Sequence, residues 1–298
     1  MWLVGQLRTG GDARGIKGFT INSTQYAFLA DGQNGLQIIN IVDAGNPVIT
    51  ANYNTSGFVK EVIIDSISRI KYAFLSDTVK GLYIINVSDP SAPILIKFIS
   101  YQGGIKSSCL KNGFLYTALM QNAVKVLNVN SLPDSVYEVC TYTSKNPVEH
   151  IEISGSTAFF TERIIKLEIV DISKPSSPVF LSTFNTSGSC VDIKIADNLA
   201  YIADGNSGVA VVNTGNPSQP YLVSQTNTKT TVLGIDYSPN FLFTAEHRDG
   251  AEVFNLFNPT LPEAFGYYEP GGYSYSVNYF KGKVLIANGQ NGLLILRF

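Results

Sequence analysis

Along this chain apolar and polar residues alternate with a period of two over short stretches, as in EVIID from Glu61, EHIEI from Glu149 and VDIKI from Val191. Such alternation marks half-buried β-strands, and no apolar stripe of useful length recurs with the spacing of an amphipathic helix. One strand recurs seven times: GLQIINI from Gly35, GLYIINV from Gly81, AVKVLNV from Ala123, KLEIVDI from Lys166, GVAVVNT from Gly208, GAEVFNL from Gly250 and GLLILRF from Gly292. Before each copy lies a second strand ending in a polar turn, among them YAFLADGQN from Tyr26, FFTERI from Phe159 and YIADGNS from Tyr201. A proline turn and a further strand follow, as in NPVITANYN, APILIKFIS and SPVFLSTFN.

Aligning Asp31, Asp77, Gln121, Glu162, Asp204, Glu246 and Asn288 gives steps of 46, 44, 41, 42, 42 and 42 residues. Four short strands joined by Gly, Asn, Asp and Pro turns in a repeat of this length make the blade of a β-propeller. The pattern therefore predicts one all-β domain over residues 1–298, a seven-bladed β-propeller of four-stranded blades with essentially no helix. The termini decide for a closed ring. The last copy stops at Phe298 without its outer strand, and MWLVGQLRTGG reads as an outer strand without a blade. The N-terminal strand is thus expected to complete the seventh blade and remove two exposed sheet edges.

The strands IINIVDAGNP, IINVSDPSAP, EIVDISKPSSP and VVNTGNPSQP resemble the LVIVD repeat, a propeller-forming motif of bacterial and archaeal proteins. The resemblance spans nearly the whole chain and is strongest in copies one, two and five. It implies a propeller, often on secreted or cell-surface proteins, with no shared activity.

The 298 residues hold 21 Lys+Arg against 23 Asp+Glu, so no polyanion partner is implied and a nucleic-acid binder led by phosphate contacts is not expected. Charged residues at 15% with 45% hydrophobic residues exclude disorder, and a chain this long buries about three quarters of its unfolded surface. Cys109, Cys140 and Cys190 are too few and too irregularly spaced for a disulfide framework or a zinc site, and are expected to pack as small hydrophobes. The N-terminal stretch lacks the basic and apolar regions of a signal peptide, and no apolar run approaches the ~18 residues of a membrane helix, so this segment is not expected to insert in a membrane. Sequons at Asn22, Asn54, Asn86 and Asn185 are what a chain rich in Asn, Ser and Thr produces by chance.

Three sets of residues are candidates for chemistry. The repeated turns place Asp31, Asp77, Glu162, Asp204 and Glu246 on the face where the innermost strands begin, a broken acidic rim for a partner or for Ca²⁺. The favoured reading is that Asp before Gly forms a tight turn through side-chain to backbone hydrogen bonds, and the rim is the lesser one. At matching positions in the innermost strands stand Glu61, Ser107, His150, Asp192, Gly234 and Ser276, with Arg14 or Lys17 expected in blade one. Glu61, His150 and Asp192 are the acid/base candidates if the channel mouth is catalytic. The tyrosines of YYEPGGYSYSVNY form a third set. Alternating tyrosines suit a half-buried strand, so packing is the favoured account of Tyr267, Tyr268, Tyr273, Tyr275 and Tyr279, with Tyr273 and Tyr275 the candidates for an exposed protein or sugar contact. His247 lies in HRDG, superficially a kinase triplet, but Phe254 stands where the Asn belongs, so a strand-joining turn is expected.

With only two histidines and no assembled nucleophile, base and oxyanion donors, the expected role is a noncatalytic binding or scaffold module. Its expected partner is a protein, in a cell-surface or extracellular assembly. Hydrolase or lyase chemistry at the channel mouth and carbohydrate binding are the alternatives.

Overall fold

A computed structural model of the chain describes residues 1–162 and 166–298, so the last two residues of the FFTERI motif, Arg163 and Ile164, lie outside the described residues. The described residues form seven four-stranded antiparallel sheets and no helix. In the first six blades the strands lie side by side in chain order. The innermost strands are Gly15–Ile21, Val59–Ile67, Ile105–Lys111, Val148–Ser154, Asp192–Ala196, Val232–Ser238 and Ser276–Phe280, and each packs beside those of both neighbouring blades.

The seventh sheet has the order Trp2–Leu7, Leu293–Arg297, Lys283–Ala287, Ser276–Phe280. The first strand of the chain pairs antiparallel with the last, from Trp2 opposite Arg297 to Leu7 opposite Leu293. The predicted architecture and closure are both present.

The turn residues account for the period. Asn40, Asn86, Asn128, Asp171, Asn213 and Asn255 end the third strands of six blades, and each accepts a hydrogen bond from the backbone N–H two residues on, at 2.8 to 3.4 Å. That bond turns the chain toward the proline and the outer strand. The glycine that begins the third strand is required by geometry. At Gly35 φ is +73°, and a Cβ would stand 2.1 Å from the Tyr53 carbonyl oxygen; Gly208 and Gly292 repeat the arrangement against Thr226 and Leu7. Only glycine accepts both the positive φ and the close approach.

Each apolar core belongs to two blades rather than one. Phe28, Ala30 and Ile38 of blade one pack with Val62, Leu75 and Ile85 of blade two. The last such cluster around the ring joins Leu285, Leu293 and Ile295 of blade seven to Ala27, Leu29 and Ile39 of blade one, with Val4 and Leu7 of the N-terminal strand packed against it. Removing residues 1–7 leaves Leu293–Arg297 as a bare edge and thins this cluster, at a cost of about 4 kcal/mol and about 10 °C in Tm. Differential scanning calorimetry of the truncated chain checks this; an unchanged melting curve would refute the role of closure.

Candidate functional site

The innermost strands begin with a repeated irregularity that builds the channel mouth. In blades two, three, four and six the pairing skips one residue, Lys60, Lys106, Glu149 or Leu233, so that two residues oppose one on the next strand. In blades one, five and seven the N–H groups of Arg14, Val191 and Tyr275 donate to Ala30, Ala203 and Ala287, the residues paired with Gly15, Asp192 and Ser276. The same bulge thus recurs in all seven blades, and such bulges re-aim side chains at the rim of a sheet. Arg14, Lys60, Lys106, Glu149, Val191, Leu233 and Tyr275 form the upper level, lining a cavity of about 440 Å³ together with Phe58, Thr78 and Met120.

One level deeper lie Glu61, Ser107, His150, Asp192, Gly234 and Ser276, as the sequence spacing requires. The blade-one member is Gly15, opposite Ala30, and is neither Arg14 nor Lys17. The bulge sets Arg14 one level above and strand alternation sets Lys17 one level below. A side chain is also excluded at position 15, because a Cβ would stand 2.7 Å from the Lys60 carbonyl oxygen.

His150 sits between two carboxylates. Its Nδ1 lies 3.1 Å from Glu61 Oε1 and 3.4 Å from Ser107 Oγ. Its Nε2 is 3.2 Å from Asp192 Oδ1, but off the line of a hydrogen bond, so that contact is one of charge. Burial by itself would push the imidazole toward its neutral form; Asp192, Glu152 and Glu61 outweigh burial and raise its pKa to about 9. His150 is therefore an imidazolium at neutral pH.

The carboxylates have a second task. The innermost strand of a blade has no strand on its channel side, so its outward N–H groups need other acceptors. Glu61 Oε2 accepts from Ser108 N at 2.7 Å, Ser107 Oγ from Ile151 N at 3.3 Å, and Asp192 Oδ2 from Ile235 N at 3.0 Å. Below them Asp236 accepts from Tyr279 N at 2.7 Å, and Asn278 Oδ1 from Gly18 N at 2.8 Å. In each case the side chain of one blade satisfies the backbone of the next, which makes a collar around the channel. The sequence signal for this collar is a small or acidic acceptor at the same register of successive innermost strands. Lys194 bonds Glu152 at 3.0 Å in the same collar; burial opposes charge there, but Lys194 and His150 hold the Glu152 carboxyl down at about 2.

The expected acidic rim lies elsewhere. Asp31, Asp77, Glu162, Asp204 and Glu246 are at most 1% exposed and face inward, toward the loop arriving from the preceding blade. Asp77 accepts from Thr55 Oγ1 and from the N–H groups of Phe58, Val79 and Lys80. Asp31 accepts from Thr9 Oγ1, Glu162 from Asn146, Asp204 from Gly188 N and Glu246 from Thr230 N. These side chains close turns and clamp loops, so they offer a partner no exposed acidic surface. The physical reason is that a polar turn beside a packed neighbouring blade leaves its N–H groups without water, and the carboxylate replaces it.

The tyrosines divide between core and surface, and Tyr267 is 53% exposed on its outer strand. Tyr279 stacks on Phe243 at 5.3 Å inside the core, whereas Tyr273 is 44% exposed and stacks on His247 at 4.7 Å beside the mouth. Tyr275 is half-buried under the Arg14 guanidinium, 3.8 Å from its ring centroid. His247 is in a turn, with Asp249 N bonded to Glu246 O. The cysteines are free thiols, and burial raises the pKa of each.

Because the folded pKa of His150 is raised from 6.5 to about 9, its stabilisation is fully present below pH 6.5 and is lost as pH rises through 9. The difference in unfolding free energy between the wild type and His150→Gln should therefore shrink by about 3 kcal/mol from pH 6 to pH 10 in urea titrations. A pH-independent difference would refute the ion-paired imidazolium. Asp192→Ala, which leaves Ile235 N unpaired and the imidazolium with Glu61 and Glu152 only, should cost about 3 kcal/mol, and Asp192→Asn about half of that.

The whole of this chain superposes on the whole of a computationally designed protein, Ika8, with a TM-score of 0.72 and 7% sequence identity, a likeness of fold alone. No curated protein matches the sequence. The LVIVD repeat matches at residues 10–55, 70–100, 148–186 and 187–228, more than half of the chain, and with the seven-bladed ring this places the protein in the LVIVD-repeat family.

Proposed function

We propose that this propeller is a noncatalytic binding module that seats a protein partner on the face carrying the channel mouth, in a cell-surface or extracellular assembly. The observation that carries the reading is the state of the three acid/base candidates. His150 is held as an imidazolium, so it has no lone pair with which to take a proton at neutral pH. Glu61 and Asp192 each bind both His150 and a backbone N–H of the next blade, and burial notwithstanding, His150 keeps the Glu61 carboxyl below its ordinary pKa. Groups fixed in this way give a rigid floor to a site and are poorly placed to exchange protons with a substrate.

Support for a seat comes from the bowl above that floor, which is lined by the exposed Met120 and by Phe58 and Tyr275, with the exposed Tyr273 in the adjoining depression that shares Arg14 and Tyr275. Aromatic and methionine side chains of this kind contribute most to protein recognition. Placement at a cell surface rests on the resemblance of the repeats to propellers of secreted and surface proteins. A photo-crosslinking amino acid at position 120, on the mouth face, should give a defined adduct in cells of the source organism. Leu233→Asp should abolish that adduct, and the same crosslinker at Asn112, in an inner hairpin turn on the opposite face, should not form it. Identical adducts from both positions, or none from position 120, would refute the reading.

A further inference from the structure

The upper level of the mouth is divided by sector. Blades one, two and three contribute Arg14, Lys60 and Lys106; blades five, six and seven contribute Val191, Leu233 and Tyr275. Glu149 of blade four lies between the halves. We infer that the mouth is a seat for a carboxylate carried on an aromatic or other flat apolar group, the charged end on the Arg14–Lys60–Lys106 side and the apolar body against Val191, Leu233 and Tyr275. The inference rests on the mouth being a binding seat and adds the chemistry of what it holds.

Three observations give the sign of the charge. Among the described residues, the three cationic side chains of the upper level meet two carboxylates, Asp12, which pairs with Arg14, and Glu149, which Lys106 grips tightly and Lys60 reaches only at 3.6 Å. Lys60 is thus loosely held, and its ammonium has donors to offer. Arg14 is paired with Asp12 through Nη2, but its Nε is buried and has no hydrogen-bond acceptor. A buried donor without a partner is costly unless a ligand supplies one. Beneath them the floor presents the ring of His150, whose positive charge is matched by carboxylates already bound to Ser108 N and Ile235 N. Among the described residues, an incoming cation would meet Arg14, Lys60 and Lys106 first, and the carboxylates of Glu61, Asp192 and Glu152 below are already engaged by His150, Lys194 and backbone N–H groups.

The shape of the ligand follows from the other sector. The Arg14 guanidinium is stacked 3.8 Å from the Tyr275 ring centroid and lies 5.5 Å from that of Phe58, contacts that restrain its plane at the edge of the cavity. Guanidinium planes stacked on aromatic rings hold carboxylates in a defined orientation. The cavity of about 440 Å³ accommodates a group of the size of a phenylpropionate or one terminal aromatic residue of a peptide. A free aryl acid and the C-terminus of a chain share this chemistry.

The chain has two methionines, and Met120 lines the cavity whereas Met1 packs against the core of blades six and seven. Selective ¹³C-methyl labelling therefore gives one reporter in the site and one control outside it. Titration with 3-phenylpropionate should shift the Met120 methyl saturably and leave Met1 in place. 3-Phenylpropionamide and 3-phenylpropylamine should bind about tenfold more weakly, and raising NaCl from about 20 mM to about 500 mM should weaken the acid alone. Lys60→Gln and Arg14→Gln, checked for an unchanged melting temperature, should each weaken the acid about fivefold and the amide little.

N-acetyl-Gly-Gly-Phe against its C-terminal amide separates the sources. A shift with the peptide acid assigns the seat to a chain terminus, and a shift with phenylpropionate alone assigns it to a small acid. Equal or tighter binding of the amide or the amine overturns the carboxylate inference and leaves the seat standing. No shift of Met120 with any of the probes overturns the seat itself, while the crosslink at position 120 tests the protein-partner reading separately.

Discussion

The buried apolar clusters of this molecule are each shared by two neighbouring blades, so a single break in the circle would expose two faces at once. The hydrogen bonds between Trp2–Leu7 and Leu293–Arg297 prevent that break. They couple the two ends of the chain to the same sheet and bring Val4 and Leu7 against the cluster shared by blades seven and one. Closure is accordingly the constraint on which the geometry of the channel rests, because the channel has a fixed width only while seven innermost strands stand in a complete circle.

A closed circle of sheets creates its own difficulty at the centre. The innermost strands turn unpaired N–H groups toward a narrow channel, and the answer adopted here is an acceptor side chain from the preceding blade. Glu61, Ser107, Asp192, Asp236 and Asn278 all serve in this way. The polar constellation singled out as a candidate for chemistry thus also builds a structural collar, with His150 as the cation between two half-buried carboxylates. One level above the collar the bulges set Arg14, Lys60 and Lys106 at the mouth on one side and Val191, Leu233 and Tyr275 on the other.

Much of this was legible because it is local. The period-two alternation, the Asn or Asp that ends the third strand of six blades, and the glycine that begins it in five each report a backbone geometry set within a few residues. Equal spacing from one copy to the next then places Glu61, His150 and Asp192 at one height in the channel without any coordinates. The exception in blade one has a physical cause. Arg14 and Lys17 both look like candidates, and the choice of Gly15 depends on where the bulge falls and on the closeness of the Lys60 carbonyl, which belongs to another blade. The inward turn of Asp31, Asp77, Glu162, Asp204 and Glu246 was equally hidden, since their acceptor role depends on loops arriving from neighbouring blades.

By itself the sequence determined the strands, their turns, the number of blades and the pairing of the two termini, because each follows from alternation, backbone preference or simple repetition. Only the tertiary structure decided which polar groups hold the ring together and which remain free to meet a ligand. Lys60 and Glu149 are 89 residues apart in the chain and 3.6 Å apart at the mouth, and His150 acquires its charge from Glu61 and Asp192 on other blades. Electrostatics and burial depend on distances through space, and those are fixed only when the circle closes.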